Sequence, residues 1–162
     1  MKAPVMAGET GVAAEIRDMV DRETAAWDAR DADALVELFH PDMVWPWPPG
    51  PQDHDPATWV MEWGRYDRTR WREGWQRLFD SHDLVSNRRE IRKIVVSEEE
   101  DGAFAVVDID TVWRDRETGR DFPWTGRTCK VYTRMDEGWR MIFQTGVLAY
   151  PPRDASRDEK GR

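Results

Sequence analysis

The chain has 162 residues, of which 40% are hydrophobic, enough for one domain with a buried core. Its 24 Lys and Arg residues against 32 Asp and Glu leave a net charge of −8, which argues against binding to nucleic acid or an anionic membrane. The single cysteine, Cys129, excludes an internal disulfide and a multi-cysteine metal site, and no apolar run is long enough to span a membrane. These features predict a cytoplasmic protein.

Tryptophan is unusually frequent, with ten residues, most of them between Trp27 and Trp75. Its ring is bulky and its N–H needs a hydrogen-bond acceptor, so it favours half-buried pocket walls and interfaces. For any single tryptophan, simple filling of the core is an equal alternative.

The first half of the chain predicts helices. Residues 1–10 are expected to be a flexible leader, without the apolar segment of a signal peptide. Apolar residues from Val12 to Trp27 recur at helical spacing. Asp31 fits the N-cap of a short second helix that ends at His40-Pro41, and residues 43–45 predict a short strand.

A proline-rich segment follows, from Pro46 to Pro56, and predicts an ordered lid over a cavity mouth. Asp55-Pro56 predicts the start of a helix. In the helix that would start there, Trp59, Trp63 and Tyr66 recur at helical spacing. A further helix is predicted to begin at Asp67.

The second half predicts an antiparallel meander of four strands. Its β-rich runs, separated by turn residues, cover 84–97, 103–114, 122–135 and 139–150. Ile91 and Ile94 are three apart, which breaks the two-residue period and predicts a bulge or a bend. Residues 151–162 predict a disordered tail. Helices followed by a meander indicate an α+β fold.

Several segments resemble the SnoaL-like group of the nuclear transport factor 2-like superfamily over about residues 12–150. They are Trp27–Leu35 (WDARDADAL), Leu38–Trp45 (LFHPDMVW), Trp124–Arg127 (WTGR), Thr133–Arg134 and Gly138–Ile142 (GWRMI). The resemblance implies a cystatin-like α+β domain over residues 11–150. In it, a cone-shaped antiparallel sheet wraps on three to four N-terminal helices and leaves an apolar cavity.

The resemblance also implies a function. Many members are enzymes without a cofactor that move protons on small, largely apolar, sometimes cyclic molecules, as isomerases, dehydratases, lyases or cyclases. Others are non-catalytic ligand-binding or assembly domains, and this alternative stays open because one fold hosts many activities. Members commonly form homodimers through the open face of the sheet. No metal site is expected, because Asp53-His54-Asp55 are too close in the chain to converge on one ion.

Asp28 and His82 match the positions of an Asp–His pair that some of these enzymes use. In such a pair the carboxylate fixes the imidazole tautomer while the histidine takes the substrate proton. The alternative makes Asp28 a solvated residue at a helix end and His82 a turn residue.

The substrate-binding residues expected from this reading are mostly aromatic, because stacking and burial would hold a flat ligand. Arg127 and Lys130 fall on opposite faces of one strand, so only one can enter the cavity; Arg127 is the candidate, with pairing to Asp108 or Asp110 as the alternative. The aromatic candidates are Trp27, Trp45, Trp47, Trp59, Trp63, Tyr66, Trp71 and Trp113.

Overall fold

The computed structural model describes residues 11–49 and 55–147. The predicted leader (1–10), the predicted tail (151–162), the middle of the predicted lid (50–54) and the end of the last predicted strand (148–150) lie outside the described residues. No helix in the described ranges is long and apolar enough to cross a membrane.

Among the described residues of the first half of the chain, four segments are helical. They are α1 (Val12–Ala29), α2 (Ala32–Val36), a 3-10 turn (Pro56–Thr58) and α3 (Arg68–Ser81). The predicted cap of α2 is confirmed, since the backbone N–H of Ala34 donates to Asp31 (3.0 Å). The predicted start of α3 at Asp67 is confirmed as well, and the structure shows that Asp67 caps this helix by accepting from the backbone N–H of Arg70 (2.8 Å). Between α1 and α2, Arg30 takes a left-handed conformation (φ 53°) that turns the chain.

One helix prediction is wrong, and another is confirmed only for its first turn. The second helix ends at Val36 rather than near His40, and Phe39 already begins a strand. The predicted helix start at Asp55-Pro56 is confirmed as the 3-10 turn, which Asp55 caps by accepting from the N–H of Ala57 (3.0 Å), but the chain continues as loop after Thr58. Gly64 there has φ 64°, which interrupts any helix.

The sheet has five strands: β1 (Phe39–Val44), β2 (His82–Val96), β3 (Gly102–Asp115), β4 (Asp121–Met135) and β5 (Gly138–Gln144). Their order is β1-β5-β4-β3-β2, with β2 to β5 antiparallel and β1 parallel to β5. Pro41 lies in β1, an edge strand, where a missing N–H is tolerated. The predicted meander and the α+β class are confirmed: a curved, open sheet packs against the helices.

Strand β2 contains two bulges. The pairing with β3 skips one residue between Leu84 and Ser86 and another between Ile91 and Lys93; the second is the bulge predicted from the sequence. Each extra residue changes which side chains face the helices. Seven residues of β2 lie on the same face of the sheet as the buried residues of β3: His82, Leu84, Asn87, Arg89, Ile91, Ile94 and Val96.

Tryptophans form the centre of the core between helices and sheet. Trp27 of α1 meets the ring of Trp75 on α3 (centroids 5.0 Å apart) and that of Trp124 on β4 (5.7 Å), both edge to face. The ring of Trp45 also packs against that of Trp75 (5.1 Å) in a tilted arrangement. Edge-to-face contacts of this kind add about 0.5–1.5 kcal/mol each to the burial of the rings.

Gly74 in α3 leaves room for the ring of Trp63: a Cβ there would lie 2.6 Å from two of its ring carbons. We therefore expect Gly74→Ala to destabilise the protein by about 1–3 kcal/mol through overpacking, against a gain of about 1 kcal/mol in helix propensity. Urea unfolding measures the difference. Arg77→Ala, on the exposed side of the same helix, is the control and should change little; a Gly74→Ala variant as stable as the parent would contradict the prediction.

Candidate functional site

A pocket of about 450 Å³ lies between the loop after β1, helix α3 and the start of β4. Its volume is in the range typical of small-molecule sites. Most of its wall is aromatic or proline. The described residues that line it are Trp47, Pro48, Pro49, Glu62, Trp63, Trp75, Leu78, Trp113, Phe122, Pro123, Trp124, Thr125 and Val147.

Packing between the lining rings makes the wall stiff. The rings of Trp63 and Trp75 are 4.7 Å apart and those of Trp47 and Trp63 are 5.0 Å apart, in edge-to-face arrangements. The backbone of Trp47 pairs with Val60 in both directions (3.0 and 2.9 Å). The start of the predicted lid, residues 47–49, therefore belongs to the pocket wall.

Glu62 is the charged residue among the described lining. Its Oε2 accepts a hydrogen bond from the indole N–H of Trp47 (3.2 Å), and the side chain is exposed. The indole nitrogens of Trp75 and Trp113, by contrast, are sealed: each exposes less than 1 Å² and has no hydrogen-bond partner among the described residues. These two N–H groups are therefore not open to a molecule in the pocket.

The structure divides the predicted aromatic candidates into two groups. Trp47, Trp63 and Trp113 line the pocket. The others lie behind or beside it: Trp27, Trp45 and Trp71 are each 1% exposed, and Trp59 and Tyr66 are half-buried.

Arg127 does not face the pocket. It pairs with Asp108 on the outer face of the sheet (2.6 Å), and Asp108 also accepts from Arg92 (2.5 Å). Hydrogen bonds from Arg127 and Arg92 lower the pKa of Asp108. The expectation that Arg127 enters the cavity is therefore wrong, and its place inside the sheet is taken by Lys130, three residues later on the opposite face.

The structure does not bring Asp28 and His82 together. Asp28 accepts from the amide of Asn87 (2.8 Å), whereas Nδ1 of His82 lies 2.8 Å from Oγ of Ser81 and its Nε2 lies 3.8 Å from Asp115. Asn87 is five residues further along β2 than His82, a separation of about 16 Å at the usual strand rise. The predicted hydrogen bond between the two residues is not formed.

A buried ionic cluster lies inside the sheet instead. The Nζ of Lys130 donates to both oxygens of Glu23 (3.0 and 2.8 Å) and to the side-chain oxygen of Gln144 (2.8 Å). Arg89 donates to Glu23 (3.0 Å), as does the indole N–H of Trp27 (3.2 Å). The side chains of the three charged residues are at most 4% exposed.

The cluster contains two cations and one anion. Burial by itself raises the pKa of Glu23, but Lys130 and Arg89 outweigh it and lower that pKa to about 2. Burial lowers the pKa of Lys130 to about 8, against the opposing effect of Glu23. Glu23 and Lys130 are therefore charged at neutral pH, and with the guanidinium of Arg89 the cluster carries one excess positive charge.

A polar chain extends from this cluster to the surface. The Nε of Arg89 and the hydroxyl of Thr111 both donate to the side-chain oxygen of Asn87 (3.4 and 2.8 Å). The amide of Asn87 in turn donates to Asp28. The carboxylate of Asp28 therefore orients Asn87 rather than a histidine.

Trp27 separates the cluster from the pocket. Its N–H contacts Glu23, the guanidinium of Arg89 lies over its ring (5.6 Å), and the same ring packs against pocket residues Trp75 and Trp124. The charged groups are thus held on one side of this indole and the aromatic pocket on the other.

Sequence reasoning missed Glu23 and selected Arg127 over Lys130 as the inward cation, although a signal existed for Glu23. Glu23 interrupts the apolar stripe of α1, three residues after Val20 and four before Trp27, which predicts a buried acid. A cation on an inward strand position is its natural partner. The pairing itself is visible only in three dimensions.

The sequence model of the SnoaL-like domain matches residues 16–141, most of the chain. The chain belongs to the SnoaL-like domain family. No curated protein matches the chain.

Solved structures similar to this SnoaL-like domain share its fold at low identity. A ketosteroid isomerase-like protein from Erwinia carotovora atroseptica is 16% identical, with a TM-score of 0.65, and covers 88% of this chain and 100% of its own. A putative aromatic ring hydroxylase from Novosphingobium aromaticivorans is 19% identical (TM-score 0.65; 88% and 94% covered). An NTF2-like protein of unknown function in nutrient uptake from Rhodospirillum rubrum is 20% identical (TM-score 0.57; 83% and 98%).

The charge of the buried cluster predicts unequal effects of two substitutions. Glu23→Gln removes the anion of the cluster: Arg89 becomes a buried cation without a partner, and Lys130 loses the carboxylate that raises its pKa against burial. We therefore expect a loss of about 3–5 kcal/mol in the free energy of unfolding. Lys130→Met keeps a balanced pair of Glu23 and Arg89 and should cost clearly less. Urea unfolding of both variants at neutral pH measures this. If Lys130→Met destabilised the protein as much as Glu23→Gln, or more, the excess positive charge would not determine how much the cluster contributes to the free energy of unfolding.

Proposed function

We propose that this SnoaL-like domain binds a flat, largely apolar small molecule in the tryptophan-lined pocket. The observation that carries the proposal is the wall itself: five indoles and a phenyl ring around a space of about 450 Å³. Aromatic walls hold planar ligands by burying area and by offset or edge-to-face contacts. Because the rings already pack on one another, binding requires little ordering of side chains.

The pocket favours binding over proton transfer. A general base must lie within hydrogen-bond reach of the proton that it removes. Of the described lining residues only Glu62 is titratable, while Asp28 and His82 have their partners elsewhere. Catalysis by the Asp28–His82 pair stays a prediction from the family resemblance, and cofactor-free proton transfer on an apolar substrate is the second function to test.

Replacing one lining indole tests the binding proposal. We expect Trp63→Leu to weaken the binding of a planar probe such as 2-naphthol by about tenfold, because it removes an aromatic contact from the wall. Saturation-transfer NMR and a titration of the probe signals measure the affinity.

Trp59→Leu is the matched control for this test. Trp59 lies in the same loop and is half-buried, but it is not among the residues that line the pocket. It should leave the affinity within about twofold. Equal losses in the two variants, or saturable binding that is unaffected by Trp63→Leu, would contradict the proposed site.

We also propose that the chain forms a homodimer through the outer face of the sheet. Phe104 pairs with Val131 and Val106 with Cys129 across β3 and β4, on the face opposite the buried residues. This row ends at the ion pair of Asp108 with Arg127. An apolar row beside a charge pair suits a self-complementary two-fold contact.

Light scattering coupled to size exclusion tests the dimer. The parent should have twice the monomer mass at micromolar concentration, and Val106→Asp should reduce it to the monomer mass by burying an unpaired charge in the contact. Val60→Asp, on an exposed loop residue, is the control and should not change the mass. A monomeric parent would refute this proposal.

A further inference from the structure

We propose that the ligand of the tryptophan pocket is an organic cation, an ammonium group with apolar substituents, and that Glu62 is its counter-charge. This inference rests on the proposed function, since it names the ligand class of the same pocket. It is carried by two features of the wall: the charge of its polar residue and the chemistry of its rings.

The described lining of the pocket carries a negative charge. Glu62 carries the charge among the described lining residues, and the hydrogen bond from Trp47 uses only its Oε2. Its Oε1 has no partner in the described part of the chain. The hydrogen bond fixes the carboxylate at the pocket wall and leaves one oxygen for a ligand. The net charge of −8 for the whole chain acts in the same direction.

The indole rings of the wall also favour a cation. The face of an aromatic ring is electronegative, and tryptophan attracts cations most strongly of the three aromatic residues. Aromatic walls also bury the apolar alkyl groups of an ammonium ligand. Aromatic cages that bind quaternary ammonium groups combine this burial with the attraction between the charge and the ring faces. Five of the lining residues are tryptophans.

An anionic ligand fits poorly. It would meet Glu62 and find no cation among the described lining residues. The sealed indole nitrogens of Trp75 and Trp113 could not donate to it. The buried cations Arg89 and Lys130 lie on the other side of Trp27 and are occupied by Glu23. Charge complementarity therefore selects a cation over an anion.

A pair of isosteric probes tests the inference. Benzyltrimethylammonium carries a cationic nitrogen where neopentylbenzene has a neutral carbon, so the two differ in charge but hardly in shape. Proton NMR of the methyl signals follows the titration, because protons held over indole faces move upfield. We expect the cation to bind about tenfold more tightly than its neutral isostere.

Two glutamate variants separate the pocket from the overall charge. Glu62→Gln keeps an acceptor for the Trp47 N–H and removes the charge, so it should weaken the cation about five- to tenfold and change the neutral isostere by less than about twofold. Glu99→Gln, in the exposed turn between β2 and β3, removes the same charge from the chain and should change neither affinity.

The outcomes distinguish this inference from the proposed function. If the neutral isostere binds as tightly as the cation, or if Glu62→Gln and Glu99→Gln weaken the cation equally, the ligand class is wrong and the apolar pocket remains. If neither probe gives a saturable shift, both the inference and the proposed function are contradicted. A cation preference that Glu62→Gln removes supports both.

Discussion

The carboxylate of Glu23 joins the first helix to the interior of the sheet. It accepts from Lys130 on β4 and Arg89 on β2, and Lys130 also donates to Gln144 on β5. Buried charges are tolerated only where they are paired and hydrogen-bonded, so these contacts allow few other placements of α1. The carboxylate of Glu23 thereby constrains how α1 lies across three strands. The positions of the other side chains of α1 depend on this placement.

Trp27 is the most important of those residues. Its N–H donates to Glu23, so the hydrogen bond that anchors the helix also orients the indole. The ring then supports Trp75 and Trp124 in the pocket wall. A layer of buried aromatic rings therefore supports the pocket wall by packing against it, and the pocket is preformed in the absence of a ligand. Preorganisation of this kind reduces the entropy cost of binding.

The bulge at Val85 decides which polar residues of β2 enter the interior. Without the extra residue, the alternation begun at His82 and Leu84 would direct Arg88 inward and Arg89 outward. With it, Asn87 and Arg89 face the helices and meet Asp28 and Glu23. A single inserted residue thus assembles the polar chain, and it also explains why Asp28 has Asn87 as its partner and not His82.

The sequence by itself determined the α+β layout, the cap at Asp31, the helix start at Asp67, the meander and the bulge after Ile91, because these depend on local spacing and on residue type. It also singled out tryptophan as a wall-forming residue, and Trp47, Trp63 and Trp113 do line the pocket. The tertiary structure decided the rest. It decided which indoles line the pocket and which support it, whether Arg127 or Lys130 faces inward, and that the register shifts at Val85. All three depend on pairing between distant strands, because the periodicity of one segment carries no information about its partner.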